Sequence, residues 1–211
     1  MPAYLIADLR IINRPRYEEY RLAVRDTMRG YGGRHVVLTS KVEVLEGNWA
    51  PPRLVVIEFP AINAAEAFYH SGDYQRARGL RANAAMADMV LADGIAPARL
   101  AGAGQRRWYA VSDTRIINRA KYRLYADAVN GIIVQHKGKY LALTETAKLL
   151  EGSWEPHCLI LLEFNSQSAA RAAFAAVRTG AAGELGANSA MSDLVLVPGL
   201  AADSEENSTF L

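Results

Sequence analysis

Between Tyr4 and Ile12 apolar and polar side chains alternate along a run rich in Ile and Leu, which is the period of a half-buried strand. Leu5, Ala7, Leu9 and Ile11 share one face and Tyr4, Ile6, Asp8, Arg10 and Ile12 the other, so one face is apolar and one is mixed. Asn13 suits a helix N-cap, and Pro15 in the first turn gives up only an N–H that would lack a helical partner. Tyr17, Tyr20, Val24 and Met28 follow at helical spacing until Gly30, Gly32 and Gly33 end the helix. His35 to Leu45, rich in Val and Thr, predicts a second strand closed by a turn over Glu46-Gly-Asn-Trp-Ala-Pro-Pro52, and Leu54 to Phe59 predicts a third. A helical region from Ala61 through Phe68 and Tyr69 is broken and recapped at Ser71-Gly-Asp and continues through Tyr74, Ala77 and Leu80; Met86 to Ile95 is a fourth strand.

The pattern then recurs. Tyr4-Leu-Ile-Ala-Asp-Leu-Arg-Ile-Ile-Asn-Arg14 returns as Tyr109-Ala-Val-Ser-Asp-Thr-Arg-Ile-Ile-Asn-Arg119, and the two halves align without a gap at roughly 35 identities, a signature of duplication. The expected organisation is a unit over 1–95, a small-residue linker over 96–107, a second unit over 108–200 and a polar, acidic tail over 201–211. In the second unit the strands fall at Trp108 onward, Lys139 to Leu150, Leu159 to Phe164 and Met191 to Pro198, with helices from about Arg119 and Ser166. Strand-helix-strand-strand-helix-strand is the ferredoxin-like order, an antiparallel sheet with both helices on one face. The bare face of each sheet needs a cover, and in a duplicated chain the other copy supplies it. The fold class expected is therefore α+β, two ferredoxin-like βαββαβ units forming one pseudo-dimeric α+β barrel within a single chain. A pocket between the two sheets would be lined by the mixed faces.

Composition narrows the partners. With 51% hydrophobic and 22% charged residues the chain reads as an ordinary globular protein, and a formal charge of +2, its basic residues scattered, gives no sign of nucleic acid. No apolar run reaches membrane-spanning length and the opening residues lack a signal-peptide pattern, so the expectation is no membrane contact and a cytoplasmic protein. The single Cys158, next to Leu159-Ile-Leu-Leu162, is expected to be a buried structural thiol. No histidines stand at metal-ligand spacing, so neither a metal nor a cofactor is expected; His136 and His157 fall in loops and His70 on a helix surface.

Tyr31-Gly-Gly-Arg34, Val44-Leu-Glu-Gly-Asn-Trp49, Val55-Val-Ile-Glu-Phe-Pro60, Tyr69, Ser71, Tyr74-Gln75 and Arg81 resemble the DUF1330 family of the dimeric α+β barrel superfamily, and the second unit keeps Leu150-Glu-Gly-Ser-Trp154 and Leu162-Glu-Phe164. The resemblance covers nearly the whole chain and implies a barrel of two such units, normally from two chains and here from one; it adds little chemistry. Leu38-Thr-Ser40 and Leu143-Thr-Glu145 depart from the family's Arg-Gly-Gly, and Thr179-Gly-Ala-Ala-Gly-Glu-Leu-Gly186 replaces the Tyr-Gln segment, which weakens or shortens that helix and makes an asymmetric pocket the expectation.

The mixed faces are expected to present Tyr4, Asp8, Arg10, His35, Thr39 and Glu58 from one copy and Tyr109, Asp113, Arg115, Tyr140, Thr144 and Glu163 from the other. As candidate catalytic groups these give His35, Asp8, Asp113, Glu58 and Glu163, since half-buried carboxylates with raised pKa values and a histidine suit acid/base work. Tyr4, Arg10, Tyr109, Arg115, Tyr140 and the indoles of Trp49 and Trp154 are candidate substrate-binding groups. The competing readings are Asp8–Arg10 and Asp113–Arg115 ion pairs that set strand register, a hydrogen-bonded His35 wall, and Glu-Gly-x-Trp loops in which glycine makes the turn, glutamate caps N–H groups and tryptophan packs over the sheet end. The function expected is a cofactor-free cyclase, isomerase or monooxygenase acting by acid/base placement on an apolar, aromatic or polyketide-like small molecule of secondary metabolism. A non-catalytic small-molecule-binding or assembly module is the alternative, haem binding is a third reading, and further homodimerisation is left open.

Overall fold

The computed structural model describes residues 1–99 and 106–201. The first unit runs β1 (Ala3–Ile11), α1 (Arg14–Gly30), β2 (Arg34–Thr39), β3 (Glu43–Glu46), β4 (Leu54–Phe59), α2 (Ile62–His70), α3 (Gly72–Arg81) and β5 (Ala85–Asp93). The second runs β6 (Arg106–Ile116), α4 (Arg119–Gln135), β7 (Lys139–Thr144), β8 (Lys148–Glu151), β9 (Leu159–Phe164), α5 (Gln167–Thr179), α6 (Ala181–Gly186) and β10 (Ala190–Ala201). Of the tail expected over 201–211, Ala201 ends β10 and the rest lies outside the described residues. The helix starts are set by local chemistry: the Asn13 and Asn118 side chains accept from the N–H groups of Arg16 and Lys121, and Ser71 Oγ accepts from Tyr74 N at 3.1 Å.

Two five-stranded antiparallel sheets result, ordered β2-β4-β1-β5-β8 and β3-β10-β6-β9-β7. Each therefore ends in a strand taken from the other unit. The single strand expected over 35–45 is corrected to two strands in different sheets, and 139–150 divides in the same way. The break is chemical: Thr39 Oγ1 accepts from Lys41 N and Thr144 Oγ1 from Thr146 N, both at 3.0 Å, turning the chain out of the ladder after each threonine. β3 then pairs with β10 and β8 with β5, so both exchanged strands cover what would be open edges.

The layers run helices, sheet, sheet, helices. Leu5, Ala7 and Leu9 face α1 to α3 together with Tyr17, Tyr20, Phe68 and Tyr74, while Tyr4 and Ile6 face the opposing sheet. The alternation read in β1 is thus the alternation observed. β2 and β7 differ, because each carries a bulge against its neighbour, between His35 and Val37 and between Tyr140 and Ala142. Arg34 pairs opposite Glu58 on the intersheet face, and His35, opposite Ile57, turns to the helix side. The placement of His35 and Tyr140 on the intersheet face is corrected accordingly: the bulge reverses the parity of every residue before it, while Thr39 beyond it keeps the expected side.

Candidate functional site

The space between the sheets is filled. Tyr4, Ile6, Val37, Leu54, Val56 and Val90 meet Val111, Leu141, Leu159, Leu161, Val195 and Val197, all at 0% exposure, and each buried aliphatic side chain stabilises the barrel by ~1.5–3 kcal/mol before conformational entropy is charged against it. Packing of that kind leaves no ligand space among these side chains.

The charged candidates gather at the two ends of this layer. At one end the Trp49 and Trp154 rings stack on each other, centroids 4.9 Å apart and tilted by 34°. Trp49 Nε1 donates to Asp8 at 3.0 Å and Trp154 Nε1 to Asp113 at 3.2 Å. Burial pushes the Asp8 carboxyl up, and the indole hydrogen bond offsets part of the rise. The indoles hydrogen-bond to these aspartates, Asp113 accepts from His157 N at 2.8 Å as well, and Arg10 and Arg115 lie exposed, Arg10 acting on Asp8 across space. The N–H groups of Asn48 and Trp49 are capped by Asp193 of the other unit at 2.6 and 3.0 Å, and those of Ser153 and Trp154 by Asp88 at 2.6 and 3.1 Å. Those caps are aspartates from the neighbouring paired strands, where the loop's own glutamate was the expected acceptor.

At the other end Glu58 and Glu163 hold the start of the linker. Glu58 accepts from Ala98 N at 2.6 Å, from Arg34 at 2.8 Å and from the Tyr4 hydroxyl at 2.8 Å. Glu163, 0% exposed, accepts from Arg99 N at 2.7 Å and stands 3.4 Å from the Tyr109 hydroxyl. Arg34 and Lys139, at the same position of the two repeats, donate to the carbonyls of Ala98 and Pro97 at 2.8 and 2.6 Å. His35 is apart from both ends; burial, and then the nearby Arg21 and Arg29, lower its pKa to about 4, so it is neutral at ordinary pH. Cys158 is free and 3% exposed, its thiol pushed up by burial.

A different place distinguishes the copies, on the helix side of each sheet. In the first unit Tyr74 and Arg81, 1% and 4% exposed, fill the space between α1, α3 and the sheet. The Arg81 guanidinium lies 5.3 Å from the Tyr20 ring centroid and pairs with Glu151, which the exchanged strand β8 brings in. Arg78 reaches Glu151 from outside at 3.1 Å, and the Tyr74 hydroxyl stands 3.4 Å from it. In the second unit Thr179 stands at the position of Tyr74 and Gly186 at that of Arg81, while the equivalents of Tyr20 and Glu151, Tyr125 and Glu46, are retained.

The second unit has a cavity of about 90 Å³ between β6, β10, α4 and α5. Its walls are Tyr122, Tyr125, Tyr140, Phe174, Leu162 and Leu194, and Glu46 stands at its rim with Arg178. Its floor is polar. Ser112, Thr114 and Ser192 replace Ala7, Leu9 and Ala87 of the first unit and form a chain of hydroxyls with both links at 3.0 Å. A surface groove of about 420 Å³ along Arg119, Arg123 and Asp127 shares Tyr122 and Ala126 with the cavity and continues it outward. Glu46 is exposed at the residue level, yet its apolar walls push its carboxyl up, Arg178 lowering it in part and Asp193 adding to the rise. Burial likewise raises the Tyr125 phenol, and carries that of Tyr140 to about 12. Of these groups only Tyr140 figured among the sequence candidates. Glu46, Tyr125 and the hydroxyl floor carried a signal, the site-by-site contrast between the two copies. Among the described residues no cluster of three or more His, Cys, Asp or Glu is placed to hold a metal ion, and no helix is long and apolar enough to cross a membrane.

Residues 2–95 and 107–200 each match the family described as "Domain of unknown function (DUF1330)". The chain belongs to the DUF1330 family. No curated protein matches it. Among solved structures, this DUF1330 tandem is similar to an arginine-to-lysine variant of chlorite dismutase from Candidatus Nitrospira defluvii, at 7% identity over 96% of this chain and 92% of that one, with a TM-score of 0.55. It is also similar to a heme-binding protein from Thermus thermophilus, at 11% identity over 96% and 92% of the two chains, with a TM-score of 0.50. At such identities the likeness is one of fold. The expectation of a cofactor-free acid/base enzyme working between the sheets is corrected: the described intersheet side chains pack against one another, and these two solved structures of like fold are those of a chlorite dismutase and a heme-binding protein.

Proposed function

We propose that this protein binds a small molecule in the second unit, in the cavity between the sheet and α4 and α5, and that the first unit, with Tyr74 and Arg81 buried, braces the barrel. The observation that carries this reading is the contrast between the copies: Ser112, Thr114 and Ser192 floor an aromatic-walled cavity where the first unit has Ala7, Leu9 and Ala87. The first unit, with Tyr74 and Arg81 buried, has instead a groove of about 360 Å³ along Gln75, Arg78, Arg81 and Glu151. A polar floor beneath aromatic walls costs stability relative to the aliphatic floor of the first unit, and a ligand that hydrogen-bonds to it offsets that cost. The ligand class is a compact molecule with apolar surface and hydrogen-bonding groups, its outer part running into the groove by Arg119 and Arg123.

Haem is the ligand that the Thermus thermophilus relative brings into question, and the residues here do not fit it. The cavity lining holds no histidine, cysteine, methionine or lysine, which leaves the tyrosines and Glu46 as ligand types, and about 90 Å³ is far below the ~300–1,000 Å³ of pockets for larger ligands. Fragment-sized phenols and amines titrated into the labelled protein test the reading by NMR. The expected result is shifts at Ser112, Tyr122, Tyr125 and Ser192 that disappear in Ala126→Trp. Shifts confined to the first unit, or unchanged in Ala126→Trp, would overturn it.

A further inference from the structure

The first unit shows what its cavity was shaped around, because it still contains the occupant: a guanidinium. Arg81 lies over the Tyr20 ring and against the Glu151 carboxylate, its side chain 5% exposed, while Arg78 approaches the same carboxylate from the solvent side, 45% exposed. One acidic group thus holds an inner and an outer cation. In the second unit the tyrosine is kept as Tyr125 and the carboxylate as Glu46, each delivered by the same elements. The outer cation is kept in kind, since Arg178 acts on Glu46 across space without closing an ion pair among the described residues. The inner cation is gone, for Gly186 has no side chain, and its backbone lies so near the Tyr125 ring that an added Cβ would come 3.0 Å from it. A ring face and an unpaired carboxylate at one cavity wall are the two elements of recognition for an organic cation.

Resting on the cavity reading above, we propose that the second unit takes a small organic cation, of the guanidinium or alkylammonium class, seated in the cavity between Tyr125 and Glu46, the counterparts of the Tyr20 and Glu151 that hold Arg81 in the first unit. A guanidinium suits the carboxylate by its planar fork, and the hydroxyl floor of Ser112, Thr114 and Ser192 offers acceptors for the remaining N–H groups. The natural ligand in this reading carries such a headgroup inward and the rest of its length along the outer groove.

Methylguanidinium and N-methylurea, which share a shape and differ in charge, separate the terms. Titrated into the full chain at constant ionic strength, methylguanidinium is expected to shift Tyr125, Glu46 and Ser112 resonances and to bind at least about tenfold more tightly than the urea. Glu46→Gln is expected to abolish that preference. Gly186→Arg is expected to abolish methylguanidinium binding by supplying an internal guanidinium, with Gly186→Ala as the uncharged control for the close approach of any Cβ to the Tyr125 ring. Equal affinity for the two probes, or a preference that survives Glu46→Gln, overturns the cation and leaves the cavity reading standing. If methylguanidinium fails while phenol still shifts the cavity resonances, the cation is again overturned alone. If neither probe nor phenol perturbs the second unit, both readings fall together.

Discussion

Arg81 is the residue on which the difference between the copies turns. Its guanidinium and the Glu151 carboxylate are 5% and 8% exposed, so each has left water on condition that the other is present. Removing one partner of such a pair leaves a buried charge, which costs ~3–5 kcal/mol, whereas an apolar replacement of both is far milder. Arg81→Ala is therefore expected to destabilise the protein by several kcal/mol in urea unfolding, and Arg81→Met with Glu151→Leu to recover most of it. A loss under ~1 kcal/mol for the single variant would mean that water reaches Glu151 and that the first copy is not plugged. The corresponding change at Gly186 touches no charge pair and is expected to be far smaller. At this scale the sequence was legible wherever alternation is unbroken: Tyr4, Asp8, Glu58 and their counterparts face the opposing sheet as the period of two requires. It failed at His35 and Tyr140, because a bulge adds one residue without a compositional mark, Val36 and Val37 being as good strand formers inside a bulge as outside it.

At the scale of the element, the Glu-Gly-x-Trp loop is a clasp between units. Gly47 sits at φ 76°, and a Cβ there would come within 2.1 Å of Asp193 Oδ1, so the turn is open to glycine for two reasons, conformation and approach. Asp193 receives Asn48 N and Trp49 N and thereby ends β3 where it lies on β10. Asp193→Ala is expected to leave two N–H groups without their acceptor, to cost ~1–3 kcal/mol, and to raise amide exchange of Asn48 and Trp49 ahead of the rest of the chain. Exchange rates that rise uniformly would show a global effect and refute the clasp. Sequence alone pointed to the glycine turn and to a tryptophan packed over the sheet end, did not foresee that the two indoles stack on each other, and assigned the capping to the wrong acid, since a cap that comes from about 145 residues away in sequence leaves no local pattern. The same blindness hid the exchange of β3 and β8. Residues 35–45 look like one strand because both pieces have strand composition, and only the partner each piece finds divides them.

For the whole molecule, exchange and shared interior make one folding unit from two similar halves. Each half alone would present Tyr4, Ile6, Val56 and Val90, or their counterparts, as a bare sheet face, and would leave its exchanged strand without a sheet. An apolar face of that size is not sustained in water by a unit of about 95 residues. The duplicated geometry offers an outlet, because the first half can donate β3 to a second copy of itself along the β5 edge that β8 now covers. A fragment of residues 1–95 is therefore expected to sediment as a folded homodimer, and co-expressed fragments 1–99 and 106–201 to associate into the parent barrel. The charge pairs do not by themselves select the mixed assembly, since Arg81 of a first-half homodimer would find Glu46 of the other copy's β3 on both sides, the mixed barrel closes Arg81 with Glu151 once, and a second-half homodimer closes none. Homodimers of the first half should then be filled on both sides and should bind no ligand, which separates assembly from binding in one experiment. A monomeric, cooperatively folded first half at micromolar concentration would show that the sheets do not depend on each other, and the interior described between them would lose its role in holding the chain together.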